Sequence, residues 1–130
     1  MPAYIDRLEI YKGASFTKYY YVEAPKTEDK DVSWVPVDLT GYHIYGVIKK
    51  DANDETIIQD LHPVIVEPKE GKIKISLNPE ETSKIQTDGR TVNEYTSLIF
   101  DIKIIAPNFK EAYRIANGIV IIFPEVSKNV

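Results

Sequence analysis

The two histidines, His43 and His62, are the side chains best suited to proton transfer or metal binding in this chain. His43 lies in a segment with a strand pattern, and His62 directly precedes a proline. A zinc site would require cysteine partners or a His-x-x-x-His spacing, and the sequence contains neither. We therefore assign both histidines structural or surface positions and expect no bound metal.

A second candidate is a calcium loop that would begin at Asp51. Asp51, Asn53 and Glu55 occupy alternate positions, as the first ligands of such a loop do. The sixth loop position requires glycine but is Thr56, and the twelfth requires a bidentate acid but is His62. The segment therefore predicts a solvated turn.

Motifs for covalent or phosphate chemistry are also absent from the sequence. No serine lies in a Gly-x-Ser-x-Gly sequence, and the six glycines are scattered singly, so there is neither a nucleophile elbow nor a phosphate-binding loop. Glu80 and Glu81 resemble paired glycosidase carboxylates, but they fall in the first turn of a predicted helix, where the helix dipole favours negative charge. We predict a protein that is not an enzyme, with no catalytic residues and no cofactor.

Composition narrows the class of protein further. Without cysteine the chain has no disulfides and can fold in a reducing cytoplasm. Sixteen basic and twenty acidic residues give a net charge of −4 that is spread along the chain, which does not suit a nucleic-acid partner. The start, Met1 to Arg7, has no leader pattern, and no segment approaches the ~18 apolar residues of a membrane span. We expect a single domain, residues 1–130, that is neither exported nor membrane-anchored.

Alternating apolar runs bounded by turn residues predict a mostly β fold. The clearest run is residues 72–77. Residues 24–34 are polar and contain a proline, which predicts a mobile surface loop. Residues 56–67 predict one strand that is kinked at Pro63. We expect a core between two sheets that is formed by Ile44, Ile48, Ile73, Ile75, Leu77, Leu98, Phe100, Ile102 and Ile104.

One short helix is predicted after the run at residues 72–77. Asn78 is a good N-cap, Pro79 suits the first turn, and Glu81 stands three residues after the cap. The helix is expected to end near Gln86.

Two long strands, residues 94–106 and 112–123, are predicted to close the domain. In the second of them, the apolar positions change parity between Ile115 and Gly118. A β-bulge at Asn117-Gly118 would explain this change, because an interior glycine often marks an extra residue. An Asn-Gly hairpin at the same position is the alternative.

Two sets of large apolar side chains remain outside the predicted core. One face of the closing strands lacks the polar alternation of a solvated sheet, which indicates a protein contact unless one of the long loops, residues 24–34 or 87–93, covers it. That face carries Ile99, Ile105, Ile119, Ile121 and Phe123. The second set is Tyr19, Tyr21 and Trp34, which suit contact with sugar or protein but also suit a half-buried strand.

An ordered series of motifs spans nearly the whole chain. It consists of an N-terminal strand ending at Lys12-Gly13, an aromatic-rich strand, and then Pro36-Val37-Asp38-Leu39-Thr40-Gly41-Tyr42, Gly71 to Leu77, Pro79-Glu80-Glu81-Thr82, Phe100-Asp101-Ile102 and Gly118 to Val126. This series resembles a family of small tailed-bacteriophage virion proteins. It is similar to the immunoglobulin-like β-sandwich at the N-terminus of phage baseplate upper proteins and in tail-fibre and neck-associated proteins.

The resemblance implies an antiparallel immunoglobulin-like β-sandwich of seven or eight strands with one short helix. It also implies a non-enzymatic structural protein of the virion, made in the host cytoplasm, that serves as an attachment or adaptor module in the tail, baseplate or neck. Its partners would be other phage structural proteins and copies of itself in a symmetric assembly. The alternatives are a carbohydrate-binding module, with a host glycan on Tyr19, Tyr21 and Trp34, and a capsid decoration protein.

Overall fold

The structure is a computed structural model that describes residues 3–26, 33–85 and 96–124. These ranges form a mostly β protein with one short α-helix, which confirms the predicted class at that level. The strands are β1 (Tyr4–Tyr11), β2 (Phe16–Tyr21), β3 (Glu23–Lys26), β4 (Ser33–Pro36), β5 (His43–Lys49), β6 (Ile57–Asp60), β7 (Val64–Glu67), β8 (Lys72–Leu77), β9 (Thr96–Ile105) and β10 (Ala112–Phe123). The helix α1 is Pro79–Lys84, and a 3₁₀ turn covers Pro68–Glu70.

The strands form three sheets. The largest has the order β1-β10-β9-β5-β6, the second has the order β2-β8-β7, and β3 pairs with β4 alone. Every described pairing is antiparallel except that of β1 with β10, which is parallel. The predicted antiparallel sandwich is therefore wrong at this edge, and the ten described strands exceed the seven or eight expected. A parallel pair cannot be joined by a tight turn, and here the rest of the chain separates its two strands.

The two larger sheets share one hydrophobic core. Alternate residues of β9 and β10 point into it from one side, and alternate residues of β8 point into it from the other, because successive side chains of a strand face opposite ways. Of the nine predicted core residues, Ile44 alone is only partly buried, and it packs against the rest. The predicted core is thus confirmed.

In two segments the structure differs from the prediction, which rested on polar residues or on a proline. Residues 24–34 were expected to be a loop, but β3 and β4 pair across this segment, with Pro25 opposite Trp34. Residues 56–67 were expected to be one kinked strand, but β6 belongs to the five-stranded sheet and β7 to the three-stranded one. The chain crosses between the sheets at the buried Leu61, which hydrogen-bonds to Gly46 in one sheet and to Ser76 in the other.

The predicted β-bulge exists but lies at Ile115, where the register of β10 against β9 shifts between Arg114 and Ala116. The strand continues past Asn117-Gly118, which excludes a hairpin there. Glycine is needed at position 118 for a different reason. Its φ is 147°, and a Cβ atom on it would lie 1.9 Å from the carbonyl oxygen of Asp6 in β1. The glycine therefore allows β1 to approach β10.

Tyr20 and Asp6 join the two larger sheets at the edge formed by β1 and β2. The Tyr20 hydroxyl donates to Asp6 Oδ2 over 2.7 Å, and Lys18 Nζ lies 3.4 Å from the same oxygen. Burial, followed by the hydrogen bond to Asp6, raises the pKa of Tyr20 far above its ordinary value. Burial also pushes the pKa of Asp6 upward, but the bonds from Tyr20 and the Arg7 N–H, with the Lys18 charge, hold that pKa below its ordinary value.

Candidate protein-binding face

The side of the five-stranded sheet that points away from the core is called the outer face below. Its residues are set by the strand register. Ile119 of β10 lies opposite Ile99 of β9 and Arg7 of β1, and Ile99 lies opposite Lys49 of β5. At the other end of the same strands, Ile105 of β9 lies opposite His43 of β5. The outer face therefore runs from an isoleucine end to a His43 end.

A groove with a volume of about 680 Å³ crosses the outer face from the isoleucine end. The second half of β5, the loop after it, β6, β9 and β10 all contribute to its lining. The lining residues are Tyr45, Gly46, Val47, Lys49, Ala52, Glu55, Ile57, Ile99, Phe100, Asp101, Lys103, Arg114, Asn117, Gly118 and Ile119. Apolar side chains thus meet charged ones in a recess of the size that binds ligands or partner side chains.

The charges of the groove have both signs. Arg114 Nε donates to Asp101 Oδ1 over 2.8 Å, and both side chains are accessible to solvent. Lys103 lies opposite Arg114 on one side and Tyr45 on the other. An exposed ion pair of this kind contributes little to stability, and charges of both signs in the groove would suit a partner of complementary charge.

The predicted partner-binding residues of the closing strands divide into two groups. Ile99 and Ile105 are half-buried on the outer face, and Ile119 is 42% exposed there. Ile121 is only 5% exposed, so the expectation that it belongs to an open patch is wrong. Phe123 is partly covered, because its ring stacks on that of Tyr11 at a centroid distance of 4.7 Å.

Sequence reasoning missed several residues of the outer face. Tyr45, Val47 and Ile57 line the groove, and Ile5 of β1 is largely exposed beside Asn117. The signal for Tyr45 and Val47 was available, because they alternate with the inward positions of the same strand. The contribution of Ile57 depends on the separation of β6 from β7, which no local pattern indicates.

Sequence reasoning also missed Phe109, which lies at the tip of the hairpin between β9 and β10. Its φ is 60°, a left-handed conformation that bulky side chains seldom adopt. The Phe109 N–H donates to the carbonyl oxygen of Ala106, and the Lys110 N–H donates to Asn108 Oδ1, which together fix this turn. The Phe109 ring remains 66% exposed and stacks on His43 at a centroid distance of 4.6 Å. An exposed aromatic ring therefore stands at the His43 end of the outer face.

The aromatic residues proposed as a sugar platform lie elsewhere. Tyr19 and Tyr21 are exposed on the outward side of the three-stranded sheet, and Trp34 is exposed on β4. Lys72 Nζ lies over both tyrosine rings, 4.9 Å from the centroid of Tyr19 and 5.8 Å from that of Tyr21. Each ring thus has a cation within cation–π distance on one side.

His62 and Glu81 form the closest histidine–carboxylate contact in the described part of the chain. His62 Nε2 contacts Glu81 Oε2, while Glu81 Oε1 accepts the N–H of Asn78 and completes the cap of α1. The Asn78 N–H and then His62 lower the pKa of Glu81. This pair therefore fastens the helix start to the crossover between sheets. Among the described residues no group of three or more His, Cys, Asp or Glu is placed to hold a metal.

Comparisons with known proteins return no match from either protein-family models or curated proteins. In the ranges that the structure describes, no helix is both long and apolar enough to span a bilayer.

Proposed function

We propose that this chain is a non-enzymatic structural protein of a tailed-bacteriophage virion. It acts as an attachment or adaptor module in the tail, baseplate or neck, with an immunoglobulin-like β-sandwich as its scaffold. The proposal assigns it no catalytic residue, cofactor or metal. Its partners are other virion proteins and copies of itself, and its location is the particle, after synthesis in the host cytoplasm.

The observation that carries the proposal is the outer face. The outward positions of a solvated sheet are normally polar. On the outer face, however, Ile99, Ile119 and Ile57 line a groove, and Ile5 is exposed beside it. Exposed apolar residues gathered on one sheet face, with charged residues among them, favour a protein contact. The resemblance of the ordered motifs to virion proteins is the reason for proposing a phage particle. The outer face is the surface that would make the attachment.

Incorporation into particles tests the proposal. We expect the chain to be found in purified particles of the phage that encodes it, and Ile119→Asp to fold normally but to be depleted from them. The charge would be buried at the contact without a partner, which is strongly unfavourable. Val64→Asp is the matched control, because it introduces the same charge at a similarly exposed apolar residue that lies on the other sheet. Absence of the wild-type chain from particles, or equal incorporation of both variants, would overturn the proposal.

A carbohydrate-binding module is the second candidate, and the exposure of Tyr19 and Tyr21 side by side on β2 favours it. A saturable change in the fluorescence of Trp34, the single tryptophan, on titration with a glycan selected from an array would support it. A capsid decoration protein belongs to the same structural class, and neighbouring capsid genes instead of tail genes would favour that location.

A further inference from the structure

We propose that the groove of the outer face binds a short extended segment of a partner protein. The segment carries an acidic side chain and, four residues away, a large apolar one. The inference rests on the proposed role of the outer face in attachment and names the chemistry of its occupant. Three features carry it: two neighbouring cations that share one carboxylate, apolar residues at a fixed distance from them, and the small area of the face.

Two cations lie side by side in the groove. Lys103 of β9 lies directly opposite Arg114 of β10, and its neighbour on β5 is the neutral Tyr45. Like charges at directly opposed positions disfavour a sheet. Asp101 Oδ1 accepts the Nε–H of Arg114, and no salt bridge between described residues includes Lys103. A carboxylate supplied by a partner would therefore meet a cation that the chain itself leaves without one.

The charge balance of the groove is basic, although the chain as a whole is acidic. Three basic and two acidic residues line the groove, whereas the net charge of the chain is −4. Charged residues at the borders of the face have partners of their own. Arg7 Nε lies 3.4 Å from Glu9 Oε1 on β1, and Asp60 of β6 accepts the N–H of His62. The groove is thus complementary in charge to an acidic occupant.

Apolar side chains lie at a fixed distance from the two cations. Ile99 is four residues along β9 from Lys103 and lies opposite Ile119 of β10. Four residues of an extended strand span about 13 Å. Ile119 is 42% exposed, and Ile57, which is 55% exposed, lines the groove from β6. An occupant therefore needs an apolar side chain about 13 Å from its carboxylate, which in an extended chain is a separation of about four residues.

The small area of the face favours a segment over a folded partner. Five strands at a spacing of about 4.8 Å make the face roughly 19 Å wide and about as long, which is about 400 Å². Each partner in a specific contact between folded proteins buries about twice that area. An extended segment of about six residues spans the same length, and the groove volume of about 680 Å³ suits its side chains. Short segments of this kind are recognised through a few anchoring side chains.

Selection from a displayed library of random seven-residue peptides tests the specificity of the groove. We expect the wild-type chain to enrich peptides in which Asp or Glu and a large apolar residue are four positions apart. Lys103→Glu should abolish this enrichment. Lys74→Glu, the same charge reversal on the outward side of β8, should preserve it. No consensus at all, a basic consensus, or the same acidic consensus with Lys103→Glu would overturn the inference.

Fluorescence anisotropy with one labelled peptide from the selection separates the charge contact from the apolar one. We expect a dissociation constant of about 10 to 100 µM, which rises about tenfold in both Lys103→Glu and Ile119→Ser. Added salt should also weaken binding. Lys103→Glu should not lower the unfolding temperature, because it places opposite charges where like charges were opposed. Equal affinity of the wild type and Ile119→Ser would show that charge alone holds the peptide, and would overturn the inference.

These results are independent of the particle test of the proposed function. A chain that is incorporated into particles but binds no such peptide would overturn this inference alone. A chain that binds the peptide but is absent from particles would overturn the proposed function and leave the specificity of the groove standing.

Discussion

Single residues determine how the last strand lies between its neighbours. Ile115 adds one residue to β10, so that Ile115 and Ala116 are both buried in succession. The sequence shows the resulting change of parity but places it at Gly118, because glycine is the residue that a pattern marks. The glycine instead accommodates the Asp6 carbonyl of β1. Glycine is needed there because of a contact with a residue more than a hundred positions earlier in the chain. Local sequence patterns contain no information on such contacts.

Gly118→Ala is predicted to destabilise the fold by roughly 2 kcal/mol or more, because the added Cβ collides with the Asp6 carbonyl and alanine resists φ 147°. The free energy of unfolding in urea measures this. Gly46→Ala is the control, since its Cβ would meet side-chain atoms of Ile102 and Pro63 at 3.3 Å and of Leu61 at 3.6 Å, with no backbone collision among these contacts. A Gly118→Ala protein as stable as the control would show that β1 does not approach β10 this closely.

In the candidate site, too, some residues were predicted correctly from the sequence and others were not. Ile99, Ile105 and Ile119 were predicted from strand parity and do share the outer face. Ile121 has the same parity but is buried, because parity gives the face of a residue and not what covers it. Phe109 could not be predicted as an exposed ring on this face, since its conformation is set by the turn and its ring stacks on His43.

At the scale of elements, the pieces with local signals were predicted best. The cap of α1 was expected from Asn78, Pro79 and Glu81, and both hydrogen bonds of the capping box are formed. The strands β5, β8 and β10 agree closely with the predicted runs. The β3–β4 pair was missed, because Pro25 and the polar residues around it favour a loop, and only their pairing with each other makes the two segments strands. Residues 87–93, one of the two long loops that could cover the apolar face, lie outside the described residues.

The helix start is predicted to weaken in acid. The Asn78 N–H and His62 hold the pKa of Glu81 below its ordinary value of 4.5. A carboxyl group with a lowered folded-state pKa stabilises the fold above about pH 4.5, and this contribution is lost as the pH falls through the lowered value. The stability difference between wild type and Glu81→Gln should therefore be present at pH 7 and shrink as the pH falls below about 4.5.

Urea unfolding of both proteins at several pH values measures that difference. Glu80→Gln is the control, because Glu80 is exposed in the same helical turn and its carboxylate contacts Lys84 instead of the cap. A difference that persists unchanged into acid would mean that the charge on Glu81 does not support the cap.

At the scale of the whole molecule, one core holds the two larger sheets together. The inward residues of β8 and β9 were predicted correctly because a strict alternation leaves them no other face. Three features were not predicted, because they depend on long-range pairing. They are the order of the strands, the crossover at Leu61 and the parallel β1–β10 pair.

Phe100→Ala is predicted to cost about 3 to 5 kcal/mol of unfolding free energy, because Phe100 is 2% exposed in the centre of this core. The urea midpoint should fall with little change in slope. Val64→Ala, at an exposed position of the three-stranded sheet, should change stability by less than about 0.5 kcal/mol. Similar midpoints for the two variants would show that the register of β9 is wrong.

The parallel pairing of β1 with β10 also affects how the molecule responds to force. Tyr4 lies beside Ala116, and Tyr11 lies beside Phe123. Opposite pulls applied at Tyr4 and at Phe123 therefore act along the two strands and load their hydrogen bonds in shear. Bonds in shear share the load and yield together, whereas a hairpin pulled from its open end unzips bond by bond. A subunit tethered through these two strands would resist stretching until the whole pair slides, which suits a part that transmits tension between its neighbours.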